Sequence, residues 1–314
     1  MPSDAMSPDR FFGNLVISRY CFTLVFDPDA DLPEFPSISM RGLLGWMLQE
    51  FICPFLGRKK PACIRCRINE LCPYFILYEQ KVRVSGITEA PRPYILFSRK
   101  SEDIHTELFL TLFGKCHEFM PQIAAAMVSG GGRGMGKNRY AFKVTRIREI
   151  TPEKTFDITD LKNGYSNRPN PPTLSQWLDG KNKPVHKVRF ESPVRLRRKG
   201  KYLSEMDWPF YFSSLARRLE SLNFLYGDGS RFGKENWLML CDRFSSWKNP
   251  SGRLSWHDIY RYSNRQGKKV PLGGLWGKVS CENGTEDQYA WWRTASLVHV
   301  GKGAVMGMGK IEIS

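Results

Sequence analysis

Histidine is scarce in this chain: there are five in 314 residues, and the first is His105. Acid–base chemistry built on imidazole therefore has few possible seats, and none in the N-terminal third. Acidic residues are also outnumbered, with 31 Asp and Glu against 47 Lys and Arg, for a formal charge of +16 and a pI near 9.6. Charge of that size selects no fold, but it attracts polyanions, nucleic acid first among them. No apolar run is long enough to span a bilayer, and no Lys-rich amphipathic helix is suited to lie on one. Met1 to Asp9 is polar, and the apolar stretch after it is interrupted by Asn14, Ser18 and Arg19. No secretory signal or membrane partner is expected, and the chain reads as cytoplasmic. In that compartment eight cysteines are expected reduced or metal-bound rather than paired in disulfides.

Apolar residues make up 41% of the chain and aromatics 13%, enough to build cores for two average domains. Leu15 to Phe26 reads as a strand. Asp27 to Pro36, with three prolines and four acids, reads as a loop. Met40, Leu43, Leu44, Met47, Leu48 and Phe51 share a helical face, which predicts a helix over Ser39 to Phe51 capped by Ser37 or Ser39. Strand signals follow at Pro93 to Phe97 and Glu107 to Phe113, a helix at Pro121 to Val128, and a strand at Ala141 to Ile147. Residues 151–185, rich in Pro, Asn, Gly and Lys, read as a linker with room for a short hairpin. A strand begins at Val188, with helices over Trp208 to Tyr226 and Asn236 to Phe244. Leu254 to Tyr262 and Val270 to Cys281 are strand-like. The chain closes with a helix over Gln288 to Val298 and a strand over Ile311 to Ile313.

Each half ends as helix, glycine-rich loop, Gly-Met-Gly-Lys, strand: Gly134 to Lys137 in the first and Gly307 to Lys310 in the second. The shared order around the motif points to a duplicated unit. Strand-helix-strand-strand-helix-strand is the ferredoxin-like arrangement. The expected fold class is therefore α+β, two tandem ferredoxin-like (RRM-like) domains. Their expected bounds are 10–150, with a cysteine-rich insert at 53–72, and 186–314, joined by the linker at 151–185. Residues Gly131 to Lys137 have the Gly-x4-Gly-Lys spacing of a nucleotide P-loop, but Asn138 stands where Ser or Thr should hold magnesium. The loop also precedes a strand instead of following one. The alternatives left are a plain turn and a loop that grips an RNA backbone, with Arg133, Lys137, Arg139, Lys302 and Lys310 as its cations.

From Lys187 to Lys201 there are seven Lys or Arg and one Glu, including Arg195, Arg197 and Arg198. Val188, Phe190, Val194 and Leu196 alternate with some of them, as on a strand packed on one face and wet on the other. Six more cations and no acid run from Arg133 to Arg148. Tyr260, Tyr262, Trp276, Trp291 and Trp292 are candidates to stack on unpaired bases, or core residues. Cys53-x9-Cys63-x2-Cys66-x5-Cys72 offers four thiols with one knuckle, a set suited to structural zinc. A four-iron four-sulfur cluster takes the same number, and unligated cysteines are the third reading. Cys21, Cys116, Cys241 and Cys281 read as core.

The segments Arg261-Tyr262-Ser263-Asn264-Arg265-Gln266, Leu272-Gly273-Gly274-Leu275-Trp276-Gly277, His299-Val300-Gly301-Lys302-Gly303 and Gly307-Met308-Gly309 form a pattern. With Arg41-Gly42-Leu43-Leu44-Gly45 and Cys72-Pro73-Tyr74, that pattern resembles the CRISPR-associated endoribonucleases of the RAMP superfamily, which process the precursor CRISPR transcript. The resemblance spans nearly the whole chain. It implies CRISPR repeat RNA as partner and metal-independent cleavage by the ribose 2′-OH, giving a 2′,3′-cyclic phosphate and a 5′-OH. No cofactor is needed for that chemistry. Other CRISPR effector subunits are possible partners, and the expected state is a monomer or weak homodimer. Many members carry a catalytic His on the first helix just after Arg-Gly-x-x-Gly; here Trp46 stands there. His299, beside the second glycine loop, is the preferred general base. His257, Tyr262 and Lys302 are the other catalytic candidates, and Arg261 and Arg265 join the RNA-binding cations. Two rival readings are a non-catalytic RNA-binding subunit of a guide RNA complex and a DNA-binding zinc protein.

Overall fold

A computed structural model describes residues 6–56, 62–81, 90–100, 105–160, 170–179, 183–263, 267–282 and 284–314. They form two compact units, Val16–Pro172 and Met1–Leu15 with Thr173–Ser314.

The first unit contains β1 (Ile17–Phe26), α2 (Pro36–Ile52), β2 (Tyr94–Lys100), β3 (His105–Phe113), α3 (Met120–Arg133), β4 (Phe142–Ile150) and β5 (Thr155–Asp157), with α1 (Pro8–Phe12) outside it in sequence and in packing. Its antiparallel sheet has the order β2-β3-β1-β4-β5, the ferredoxin-like order with one added edge strand. Tyr20, Phe22 and Leu24 of β1 and Leu108, Leu110 and Leu112 of β3 are buried, as are Met40, Leu44 and Leu48 of α2. Neither expected serine caps α2. The helix starts at Pro36, and the N–H of Ser37 donates to Ser98 Oγ of β2 at 2.8 Å. Proline at the first turn costs no hydrogen bond, so the cap comes from the sheet.

The second unit contains α4 (Leu174–Leu178), β6 (Lys187–Phe190), β7 (Arg197–Arg198), β8 (Lys201–Tyr202), α5 (Trp208–Tyr226), α6 (Lys234–Ser246), β9 (Leu254–His257), β10 (Tyr260–Ser263), β11 (Lys268–Pro271), β12 (Gly274–Ser280), α7 (Glu286–Val298) and β13 (Ile311–Ile313). The main sheet runs β13-β6-β12-β9, again the ferredoxin-like order, with β7–β8 and β10–β11 as separate two-stranded ribbons. Asp207 caps α5 by accepting from the Phe210 N–H at 3.0 Å, and Thr285 caps α7 through Gln288. Leu215, Leu219 and Leu222 of α5 are fully buried with Trp291 and Trp292 of α7. The two tryptophans are thus core.

The division differs from the expected start of the first domain at residue 10. Residues up to Leu15 pack on the second unit: the Trp291 indole donates to the Met6 carbonyl at 2.9 Å, and the Phe12 and Phe232 rings lie 4.6 Å apart. The expected linker is also partly built structure. β5 pairs with β4, and Thr173 and Gln176 close a capping box on α4. No helix among the described residues is long and apolar enough to cross a membrane.

Candidate nucleic-acid interface

The glycine run in the first unit is mostly helix. Ser129 to Arg133 are the last turn of α3, and the loop proper begins at Gly134. The reason is packing. A Cβ on Gly131 would lie 2.2 Å from the Phe142 carbonyl, and one on Gly130 would meet Met47 and Leu43 of α2. The run lets α3 press against β4 and α2, so it is not an open phosphate cradle. Gly134 takes φ +76, and Met135 and Tyr140 exchange both backbone hydrogen bonds, 2.8 and 3.0 Å, around the turn Gly136-Lys137-Asn138-Arg139. Lys137 and Arg139 are exposed on that turn. Arg133 is held otherwise, 2.6 Å from Glu50 and with its guanidinium 5.0 Å from the Trp46 ring centre. Gly45, in the Arg-Gly-x-x-Gly segment, makes room for the Tyr78 ring, which a Cβ would meet at 2.6 Å.

The second glycine loop is a clasp. Lys302 N donates to the Arg195 carbonyl, Gly309 N to Pro193 and Lys310 N to Ser192 Oγ, while Met306, Gly307 and Met308 bond within the loop. Ser192 Oγ in turn donates to the Gly307 carbonyl at 2.6 Å. Six of the loop's amides are therefore committed to protein. Lys310 Nζ is committed too, donating to the Ser296 carbonyl at 2.9 Å. His299, the preferred base, is 3% exposed and holds φ +54 at the end of α7. Arg218 reaches the neighbouring Val298 carbonyl at 2.7 Å, and burial lowers its pKa to about 10, which leaves it charged opposite the helix C-terminus. The structure thus makes His299 a core residue beneath the loop and does not present it to solvent. Lys302 is half-buried.

The basic stretch from Lys187 to Lys201 is not one strand. Pro193 breaks the ladder, and Val194 bridges instead to Leu275 of β12. Arg189 is paired with Glu312 and Glu191. Arg195 is buried: its Nη1 donates to the Pro271 carbonyl at 2.6 Å and its guanidinium lies 4.1 Å from the Tyr202 ring centre. After it the chain turns back through Lys199 (φ +46) and Gly200 (φ +84), the two positive φ values of a tight hairpin. That ribbon exposes Arg197, Arg198, Lys199 and Lys201. Arg198 is pinned to Asp207 at 2.6 Å, and Arg197 Nε donates to the Gly200 carbonyl at 2.9 Å. The β10–β11 ribbon adds Tyr260, 60% exposed, with exposed Lys268 and Lys269 and half-buried Arg261. Arg265 and the side chain of Tyr262 lie outside the described residues.

Arg195 and the Val194–Leu275 bridge tie the segment before β7 to the end of β11 and the start of β12. Trp256 is exposed on β9, and half-buried His257 next to it packs edge-on against Trp276 at 4.5 Å. Gly273 and Gly274 permit this: Cβ atoms there would lie 2.5 Å from the His257 and Val194 carbonyls. Exposed cations beside exposed rings are the chemistry that tracks a single-stranded backbone and stacks its bases. The hairpin had a readable signal, Lys-Gly inside a basic run, that the alternating pattern around it obscured.

Among the described residues no group of three or more His, Cys, Asp or Glu side chains is gathered to hold a metal. Cys63 and Cys66 flank a 3-10 turn, Cys66 N donating to Cys63 O at 3.1 Å, and Cys53 and Cys72 each end another helical segment. All four thiols are half-buried. Burial pushes the thiols of Cys21 and Cys281 up to about 11 and that of Cys116 to about 12, as expected of core cysteines, while Cys241 is half-buried.

Residues 188–311 match the family model of the CRISPR-associated endoribonuclease Cas6, and residues 15–171 match the N-terminal domain family AF_1859_N. An uncharacterized protein of Archaeoglobus fulgidus is 24% identical over 271 residues, 83% of this chain and 84% of that protein. Among solved structures, Thermus thermophilus Cas6 aligns with a TM-score of 0.57 at 16% identity, over 96% of this chain and 99% of that one. A Cas6 product complex aligns with a TM-score of 0.58 at 14% identity, over 95% and 99% of the two chains. Those structures share the tandem ferredoxin-like fold seen here. The chain thus belongs to the AF_1859_N family through its N-terminal half, and its residues 188–311 are similar to the Cas6 family of CRISPR-associated endoribonucleases.

Proposed function

We propose that this protein binds CRISPR repeat RNA and cleaves the precursor transcript without a metal, by attack of a ribose 2′-OH on the adjacent phosphate. The reaction leaves a 2′,3′-cyclic phosphate and a 5′-OH. The observation that carries the reading is the pair of ribbons, β7–β8 and β10–β11, with their exposed cations and Tyr260, joined where Arg195 reaches the Pro271 carbonyl. A base must take the 2′-OH proton, an acid must protonate the leaving oxygen, and a cation must steady the phosphorane. His257 fits the base role better than His299, because it is half-exposed just ahead of the β10–β11 ribbon while His299 is buried. Tyr262 and Lys302 are the other groups of suitable chemistry.

A second reading is favoured by Trp46, which occupies the position where many relatives carry a catalytic histidine. In it the protein holds guide RNA within a larger effector complex and does not cut. Incubation of purified protein with its own repeat RNA in EDTA separates the two. Fragments ending in cyclic phosphate support the enzyme, and intact bound RNA refutes it. His257→Ala should then abolish cleavage while retaining binding; full activity in that variant moves the base elsewhere. The spacing of Cys53, Cys63, Cys66 and Cys72 supports a structural zinc. About one zinc per chain in metal analysis supports the staple, and none makes these ordinary thiols.

A further inference from the structure

In the first unit a large aromatic ring is held at the surface by a built arrangement. Trp46 on α2 is 46% exposed. The Arg133 guanidinium, from the last turn of α3, sits 5.0 Å from its ring centre. Glu50, one helical turn after Trp46, holds Arg133 at 2.6 Å. The glycines preceding Arg133 fix its position, since α3 approaches β4 too closely for a side chain at Gly131 and packs tightly on α2 at Gly130. Single exposed aromatics are common and need no explanation. This one is different, because an ion pair and a helix end order it.

The charge arrangement indicates what it takes. Glu50 neutralises Arg133, so the cluster offers a flat, polarisable surface in place of a phosphate site. Cations are supplied nearby in sequence by exposed Lys137 and Arg139 on the turn that follows α3. A flat ring backed by a guanidinium, next to a cationic turn, suits one unpaired nucleobase whose backbone runs over the turn. We infer that Trp46 and Arg133 form a stacking subsite for an unpaired nucleobase of the bound RNA. The inference rests on the proposed RNA binding. Trp46 acts in it as a positioning residue and takes no part in proton transfer.

The test measures affinity of the full chain for a single-stranded oligoribonucleotide of its own repeat, across a salt series, for wild type, Trp46→Ala, Trp46→Leu and Trp46→Phe. Stacking on one base predicts a loss of roughly 5- to 150-fold in Trp46→Ala, with the slope against salt unchanged because no cation is removed. Trp46→Leu keeps apolar bulk without a plane and should bind as weakly as Trp46→Ala, while Trp46→Phe should retain most of the affinity. Unchanged affinity in Trp46→Ala, or full affinity in Trp46→Leu, overturns the subsite. A changed slope in Trp46→Ala also overturns it, because charge and not stacking would then have been lost. Failure of the wild type to bind any RNA would instead sink the underlying functional reading.

Discussion

Removing the cations of the β7–β8 ribbon tests the RNA interface most directly. Arg197, Lys199 and Lys201 are exposed, and none has a carboxylate partner among the described residues. Arg189 has two, Glu312 and Glu191. Each cation that meets a phosphate contributes about 0.7 to the slope of log K against log salt on a single strand. A triple Ala variant of Arg197, Lys199 and Lys201 should therefore flatten the slope by about 2. Between 50 and 200 mM salt the wild type should then lose about 20-fold more affinity than the variant. Arg189→Ala should leave the slope nearly unchanged, since its charge is already compensated. Fluorescence anisotropy of a labelled repeat oligonucleotide, titrated at four salt concentrations, reads both. If the triple variant keeps the wild-type slope, or if Arg189→Ala flattens it as much, the assignment of the ribbon as a phosphate contact is refuted.

Two further expectations concern stability. Gly136→Ala and Gly309→Ala both place a side chain at positive φ, which costs roughly 1–2 kcal/mol by itself. At Gly136 nothing lies within 4 Å, whereas at Gly309 a Cβ would sit 1.9 Å from the Val300 carbonyl, so chemical denaturation should show a clearly larger loss for Gly309→Ala. Equal losses would mean that the clasp yields easily. The Asp157 carboxyl is held at about 2 by the Thr159 hydroxyl and N–H and by Arg146 at 2.7 Å. Its folded pKa is depressed, so its contribution is present above about pH 4 and lost as pH falls toward 2. Asp157→Asn should lower the melting temperature at pH 7 and have no effect near pH 2; an equal shift at both would refute the linkage.

Much of the fold was legible because periodicity and capping are local. The helix over Trp208 to Tyr226 begins and ends where its apolar spacing says it should. The paired helix-glycine-strand endings pointed to the duplication that the two matching sheet orders display. What failed to read were places where a distant backbone decides. Ser98, sixty-one residues away, caps α2 in place of a local serine. Gly130 and Gly131 looked like loop because glycine lowers helix propensity, yet they lie in α3, where crowding by β4 requires Gly131 and Gly130 packs tightly on α2.

By itself, the sequence determined the charge, the scarcity of histidine, the strand-helix order of two similar halves and the presence of Trp46 on the first long helix. These are properties of composition and short-range pattern, and no packing is needed to read them. Only the tertiary structure decided which basic residues still face solvent. Arg195 and Lys310 are spent on carbonyls, Arg133 and Arg189 on carboxylates, and His299 is buried under the loop it adjoins. A cation's availability depends on the groups that packing brings beside it, and in this chain most of those come from elements distant in sequence.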